Sequence, residues 1–204
     1  MSATQTAVPT LAEGDRMDRE EFHRRYLLRP DLHHVELIEG VVCFMPMPIS
    51  WKDHADPQTF MITWVGVYRS RHDDVVGGVS ASVFLDGRNQ PEPDALLFRQ
   101  DRKLITADGY IGGAPDLVVE VANSSVSRDL REKKDAYERN GVREYIVWRV
   151  QDYAIDWFQL RNGRFERREP GEDGVIESDV FPGLRLNVTK ALEGDLAGVL
   201  AEVR

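Results

Sequence analysis

The chain lacks the features that mark secreted and membrane proteins. It has one cysteine, Cys43, among 204 residues, so an internal disulfide cannot form and a reducing compartment is expected. No apolar run approaches the roughly 20 residues that a membrane-spanning helix needs. The first ten residues have neither the basic start nor the apolar run of a signal peptide. We therefore expect a cytoplasmic protein that makes no contact with a membrane.

Excess positive charge is also missing, because the formal net charge is −9 at pH 7. This value argues against binding of nucleic acid over the whole surface. It does not exclude a nuclease, since an acidic metal site adds negative charge and a local basic strip can still contact phosphates. The chain has no nucleophile elbow, P-loop or dinucleotide glycine motif, so an unrelated metal-free enzyme has little support.

The composition that is present is typical of a globular protein, with 42% hydrophobic and 30% charged residues. Residues 1–16 are small and polar and predict a flexible N-terminal segment. Residues 17–204 have a suitable length for a single domain. Asp18, followed three residues later by Glu21, predicts a helix start with a capping box.

Strand and helix signals alternate along this domain. We predict a β-hairpin over 35–44 and a long amphipathic helix over 54–71. The apolar run 117–121 predicts a buried central strand. A helix over 128–140 and a strand over 145–150 follow it, an order that normally gives a parallel strand pair. The expected fold class is α/β, with a mixed sheet flanked by helices.

A second predicted hairpin, 155–168, carries aromatic residues that allow two interpretations. The Asn162-Gly163 pair is a strong turn signal. Trp157 and Phe158 could form the interface of a homodimer, or they could pack in the core of the domain itself.

Glu120 is a charged residue in an otherwise apolar strand. Burial of its carboxylate is costly unless a cation or hydrogen bonds compensate. Asp94 stands at the start of the apolar strand 95–98. If the two strands are neighbours, the carboxylates converge and favour a divalent metal, Mg²⁺ or Mn²⁺ rather than Zn²⁺. The alternatives are a strand end for Glu120 and a Pro-Asp turn for Asp94.

Lys133 is predicted to face the sheet. It shares one helical stripe with Val126, Leu130 and Tyr137, whose apolar groups must face inward. An inward lysine beside two acids could orient a water or hold a phosphate. The alternative is a buried stem with an ammonium group that reaches solvent at the edge.

Five segments occur in an order that resembles the Uma-two family, a bacterial group of restriction-endonuclease-like proteins. The match covers roughly residues 18–195, and its segments are Val35-Glu36-Leu37-Ile38-Glu39-Gly40, Pro93-Asp94, Pro115-Asp116-Leu117-Val118-Val119-Glu120-Val121, Asp129…Lys133…Tyr137 and Gly141-Val142-Arg143-Glu144-Tyr145. The resemblance implies the PD-(D/E)XK nuclease fold. It also implies that Asp94 and Glu120 ligate metal and that Lys133 replaces the usual lysine. That lysine normally stands two residues after the acid, where this chain has Ala122.

Two further candidate residues come from the resemblance, and a third, Asp116, comes from strand alternation. Glu36 matches a glutamate of the first hairpin and could complete the metal shell through a water, although a surface hairpin glutamate is the alternative. His54 matches a histidine near the start of the long helix, where a capping or exposed histidine is also common. Asp116 shares the Glu120 face of the strand, or it simply forms a turn after Pro115.

Together these residues predict a Mg²⁺-dependent endonuclease that hydrolyses DNA. Asp94, Glu120 and the Val121 carbonyl are the expected metal ligands, Lys133 and Glu36 are expected to assist, and Mn²⁺ is a possible substitute. A homodimer is plausible because duplex cleavage often uses two sites. The alternative is a catalytically weak or inactive nuclease-fold protein that acts as a binding or assembly module.

Overall fold

The structure is a computed structural model that describes residues 10–45 and 48–204. Its strands, in chain order, are β1 (Val35–Ile38), β2 (Val41–Phe44), β3 (Val75–Gly78), β4 (Val83–Phe84), β5 (Ala95–Arg99), β6 (Ile111–Gly112), β7 (Leu117–Ala122), β8 (Glu144–Arg149), β9 (Ala154–Arg161), β10 (Arg164–Arg168), β11 (Val175–Glu177) and β12 (Arg185–Asn187). Its α-helices are α1 (Arg19–Leu27), α2 (Asp56–Arg69), α3 (Val126–Arg128), α4 (Lys134–Asn140), α5 (Val188–Leu192) and α6 (Leu196–Leu200).

The centre of the fold is a mixed sheet, six-stranded within the described ranges, in the order β10-β9-β8-β7-β5-β3. Strands β7 and β8 are parallel, and the other neighbours in this sheet are antiparallel. Every residue of β7 is buried. The predicted α/β fold class, its buried central strand and its parallel pair are therefore confirmed.

The helices flank both faces of this sheet. On one face, α2 and the C-terminal helices cover a core that includes Trp64 and Trp157. On the other face, the helical segment 126–140 covers Val118, Ala122 and Tyr145. The hairpin β1-β2 and α1 enclose a third, smaller cluster. Among the described residues, no helix is both long and apolar enough to cross a membrane.

Two tight turns place both of their central residues at positive φ. Glu39 and Gly40 join β1 to β2 with φ values of 53° and 74°, and Asn162 and Gly163 join β9 to β10 with 50° and 76°. Positive φ at both central residues suits the twist of an antiparallel hairpin. Both predicted hairpins are confirmed.

Two π-helical turns adjoin the α-helices. Trp51–Ala55 precedes α2, and Asp129–Lys133 joins α3 to α4. Such turns widen a helix locally and often occur at functional sites. Gly141 ends α4 with φ of 84°, as expected for the residue after a helix.

Two expectations differ from the structure. Residues 1–9 of the predicted flexible segment lie outside the described residues. Residues 10–16 instead run along β2, where Gly14 donates to the Val42 carbonyl and Val42 donates to the Asp15 carbonyl. Asp18 caps α1 by accepting from the Glu21 amide, but the Glu21 carboxylate pairs with Arg24 and Arg25 instead of closing a capping box.

The structure decides between the two interpretations of the aromatic residues of the second hairpin. Trp157 is fully buried and meets Trp64 edge to face, with ring centroids 5.9 Å apart. Phe158 is also buried and lies beside Tyr145. These aromatics therefore pack in the core of the domain, and the interpretation of them as a dimer interface is wrong.

Candidate active site

Glu120 is buried near the carboxyl end of the central strand. Its side chain is 6% exposed, so it does not emerge into water as a strand end would. Its Oε1 atom accepts a hydrogen bond from the Tyr137 hydroxyl at 3.0 Å and contacts the Lys133 ammonium at 2.7 Å. The two partners come from the helical segment 126–140, which packs over this face of the sheet.

Lys133 lies at the centre of a cluster of acids. Its side chain is 4% exposed, and its Nζ lies 2.9 Å from Glu36 Oε1 and 3.8 Å from Asp129 Oδ1. The π-helical turn Asp129–Lys133 carries both Asp129 and Lys133 to the inner face. The prediction of an inward lysine is confirmed, and the alternative of an ammonium at the surface is wrong.

Glu36 reaches the cluster from the first hairpin. Val35 and Leu37 of β1 pack in one cluster with Phe22 of α1, and the alternation along a strand turns Glu36 the opposite way. Glu36 is 3% exposed, and its Oε1 also accepts from the Glu92 amide at 2.7 Å. The interpretation of Glu36 as a surface glutamate is therefore wrong.

Asp94 lies directly before β5, where the pairing of Ala95 with Val119, continued by one residue, sets it opposite Glu120. Directly opposed side chains share a face of the sheet. Asp94 Oδ2 accepts from the Val121 amide at 2.6 Å. Strands β5 and β7 are therefore neighbours, and the two acids lie at opposed positions on one face of the sheet.

Asp94 is also held from the side of α2. Its Oδ1 atom accepts from the Gln58 amide at 2.7 Å and lies 3.6 Å from His54 Nε2. His54 is 9% exposed. It is therefore a buried neighbour of the acid and not a solvent-exposed residue.

The whole of this arrangement lies within one family match. The family model described as "Uma2: Putative restriction endonuclease" matches residues 19–189 of the 204. The chain belongs to the Uma2 family. The match includes Glu36, Asp94, Glu120 and Lys133, so the cluster lies inside the family domain.

A solved structure shares the fold of this Uma2 chain. It is titled a "putative nuclease belonging to DUF820" from Anabaena variabilis ATCC 29413, and it superposes with a TM-score of 0.64 at 16% sequence identity. The similarity covers 84% of this chain and 97% of the other. No curated protein matches the chain significantly.

The Uma2 cluster, which consists of Glu36, Asp94, Glu120, Asp129 and Lys133, holds more buried acidic than basic side chains. Burial raises the pKa of Glu120 well above its ordinary value, and Lys133 offsets only part of this. Burial also raises the pKa values of Asp94 and Asp129. For Lys133, burial alone would lower the pKa, but Glu120, Glu36 and Asp129 outweigh it and raise the pKa well above the ordinary value. The site therefore stabilises a charged lysine and has a deficit of positive charge.

The donor chemistry of the cluster fits a hard divalent cation. Asp94 and Glu120 offer carboxylate oxygens, and Mg²⁺ commonly uses one or two protein carboxylates while it retains waters. Within the described ranges, no group of three or more His, Cys, Asp or Glu side chains is already spaced as a metal site. The residues thus suit a water-rich Mg²⁺ or Mn²⁺ site better than an all-protein cage.

Asp116 does not join the cluster, although it shares a strand face with Glu120. Four residues of strand separate the two, which is about 13 Å. Asp116 Oδ2 accepts from the Arg99 amide at 2.9 Å, and its Oδ1 pairs with Arg102. Asp116 therefore anchors the far end of β7 through arginine contacts, and the alternative of a local structural role is the better description.

The sequence interpretation missed three residues that support the site. Gln58 follows His54 by one helical turn, so the i, i+4 spacing was the available signal. Asp129 precedes Lys133 by the same spacing, and the Ser125 hydroxyl donates to Asp129 Oδ2 at 2.6 Å. No local sequence pattern pointed to Glu92, because it supports the site only through the hydrogen bond from its backbone amide to Glu36.

A small cleft opens beside the Uma2 cluster. Its volume is about 150 Å³, and its lining includes Ser50, His54 and residues 123–125. Ser125 contacts Asp129, and His54 contacts Asp94. The cleft therefore lies one residue away from two of the buried acids, Asp94 and Asp129.

Proposed function

We propose that this Uma2 protein is a metal-dependent endonuclease that hydrolyses phosphodiester bonds in DNA. The observation that carries the proposal is the buried contact of Lys133 with Glu120, on the sheet face where Asp94 lies in register with Glu120 on the neighbouring strand. Burial of several acids around one base is costly for stability. Such an arrangement is common at functional sites, where pKa values are shifted for a task.

Mg²⁺ or Mn²⁺ would be held by Asp94 and Glu120, with the Val121 carbonyl as a further ligand. When bound, the cation would neutralise phosphate charge and lower the pKa of a nearby water. The bond from the water oxygen to phosphorus would form in line with the breaking bond to the leaving oxygen, with inversion at phosphorus.

The protein's own groups prepare this step. Lys133 stays protonated between Glu36 and Glu120, and its ammonium can orient a water or a phosphate oxygen. The Tyr137 hydroxyl fixes the Glu120 carboxylate, and Gln58 fixes the Asp94 carboxylate. Fixed carboxylates lower the reorganisation needed when substrate binds.

Plasmid nicking tests the proposal directly. Wild-type protein with Mg²⁺ should nick supercoiled DNA, and Asp94→Ala and Glu120→Ala should abolish nicking. Glu172→Ala, which removes an exposed carboxylate before β11, is the matched control and should nick normally. Nicking retained in both site variants would reject this site.

A non-catalytic binding module is the second candidate, and one observation favours it. Lys133 already contacts both Glu36 and Glu120, so the cluster is partly neutralised without metal. Thermal unfolding in millimolar Mg²⁺ or Mn²⁺ separates the two functions. A rise of several degrees that Glu120→Gln removes supports a metal site, whereas no rise supports the binding module.

A two-fold dimer belongs to the same proposal, since it would bring two sites to one duplex. Sedimentation with and without DNA measures this state. A monomer under both conditions would remove the dimer from the proposal while leaving the chemistry intact.

A further inference from the structure

A buried aspartate outside the Uma2 cluster lies on the same face of the sheet as Glu120. Asp156 is buried in β9 and has no role in the proposed hydrolysis. Val147 of β8 is paired with Glu120 of β7 and with Asp156 of β9, and side chains at paired positions of neighbouring strands point to the same face. Neighbouring strands are about 4.8 Å apart, so Asp156 stands about 10 Å from Glu120 along one row of the sheet.

Asp156 holds two arginines, one with each carboxylate oxygen. Its Oδ2 atom accepts a hydrogen bond from Arg149 Nε at 2.7 Å, and its Oδ1 atom lies 2.9 Å from Arg167 Nε. Arg149 is the last residue of β8 and Arg167 belongs to β10, so one buried carboxylate fixes guanidinium groups from two strands. A contact at Nε leaves the terminal nitrogens of a guanidinium group as donors to a further partner.

The further partners of these arginines are exposed acids. Arg149 Nη1 pairs with the exposed Asp152, and Arg167 Nη1 lies 3.6 Å from the exposed Glu169. Exposed ion pairs contribute little to stability, whereas hydrogen bonds from a guanidinium group to a phosphate are charge-assisted and can be bidentate. A phosphate group can therefore replace both exposed acids while Asp156 keeps the two arginines in place.

A third basic side chain lies next to this arginine pair. Lys134 Nζ lies 4.6 Å from the centre of the Phe158 ring, and Phe158 is paired with Arg167 across β9 and β10. Arg149, Arg167 and Lys134 therefore form a basic strip that surrounds one buried negative charge. Arg149 is paired with Ala122 at the end of β7, so the basic strip begins at the strand end that carries the Uma2 cluster.

We infer that Arg149 and Arg167, fixed by Asp156, bind a backbone phosphate of the DNA substrate about three nucleotides from the bond that is cut, since about 10 Å of sheet matches three steps of about 3.4 Å along one strand. This inference rests on the proposed nuclease function and states where that substrate is held. The net charge of −9 argues against binding over the whole surface, so the substrate needs a local basic strip of this kind.

Equilibrium binding of a fluorescent DNA duplex to the full chain, in EDTA and at several salt concentrations, tests the strip without cleavage. Arg149→Gln and Arg167→Gln should each weaken binding about ten-fold at low salt. Each should also lower the slope of log affinity against log salt concentration by about 1, as expected when one phosphate contact is lost. Arg161→Gln is the matched control and should change neither quantity, because this exposed arginine of β9 lies on the opposite face from Asp156.

Asp156→Asn separates positioning from net charge. The substitution removes one negative charge, so general electrostatics predict tighter binding of DNA. If Asp156 fixes the two arginines, binding weakens instead, and the KM for nicking rises while kcat stays near the wild-type value. Urea unfolding followed by tryptophan fluorescence checks that the variant is folded under the binding conditions.

The outcomes separate the basic strip from the nuclease. Unchanged salt slopes in both arginine variants, or an equal loss of binding in Arg161→Gln, would overturn the inference and leave the strip as a structural ion network. Tighter binding by Asp156→Asn would overturn the positioning role of Asp156. Nicking by wild-type protein with unchanged slopes would overturn the strip alone, whereas reduced slopes in a protein that does not nick DNA would reject only the nuclease.

Discussion

Replacing Lys133 with methionine keeps the buried stem but removes the ammonium between Glu36 and Glu120. The two contacts are 2.9 Å and 2.7 Å long, and at an effective dielectric near 20 each is worth about 6 kcal/mol of attraction. The net loss of stability is smaller, because a carboxylate that has lost its lysine partner can take up a proton. Removal of one partner from a buried ion pair typically costs about 3–5 kcal/mol, and we expect a loss of this size at pH 7.

The loss should depend on pH and on metal. At pH 5 the carboxylates that have lost their lysine partner are protonated more easily, so the difference in unfolding free energy between Lys133→Met and wild type should shrink. If Asp94 and Glu120 hold a divalent cation, 10 mM Mg²⁺ should restore part of the stability of the variant at pH 7, since the cation replaces the missing charge.

Urea unfolding followed by tryptophan fluorescence measures these effects, because Trp64 and Trp157 are fully buried. Arg131→Met is the matched control, as it removes one positive charge from an exposed residue of the same turn. The control should change the free energy of unfolding by less than about 0.5 kcal/mol. A loss below about 1 kcal/mol in Lys133→Met at pH 7 would refute the view that Lys133 compensates the buried acids.

Three further substitutions test other parts of the site. Burial raises the pKa of Glu92 from 4.5 to about 7, so its stabilising contribution is complete below pH 4.5 and is lost as the pH rises through 7. Glu92→Gln should remove up to about 3 kcal/mol of this pH dependence, measured by unfolding at pH 5 and pH 8. An unchanged dependence of the unfolding free energy on pH would contradict this expectation. Tyr137→Phe deletes the hydrogen bond to Glu120 and should cost about 1–3 kcal/mol in urea unfolding, whereas wild-type stability would show that the contact contributes nothing. Asp116→Asn weakens the charged contact with Arg102 and should lower the melting temperature, while the nicking rate of the folded protein stays at the wild-type level. Loss of nicking in the folded variant would show that Asp116 contributes to the active site.

Local patterns were sufficient for much of the fold. The apolar run 117–121, the Asn162-Gly163 pair and Gly141 after its helix depend on neighbouring residues, so they could be interpreted without tertiary contacts. The inward direction of Lys133 also followed from helical spacing, because the apolar residues of its stripe must face the sheet.

Contacts between distant segments could not be predicted in this way. Asp116 and Glu120 share a strand face by alternation, yet only the tertiary structure shows that Arg102 pairs with Asp116 whereas Lys133 contacts Glu120. Trp157 was compatible with either an interface or a core position until its contact with Trp64 was known. Alternation identifies a face of a strand, but it does not identify what covers each point along that face.

The amino-acid sequence alone determined the order of strands and helices, the family resemblance, and the presence of two acids and a lysine that belong inside. The tertiary structure decided that Glu36 meets Lys133 across 97 positions of chain and that His54 and Gln58 flank Asp94. The physical reason is that hydrophobic periodicity acts over a few residues, whereas charge compensation depends on strand register and on which helix packs over which strand end.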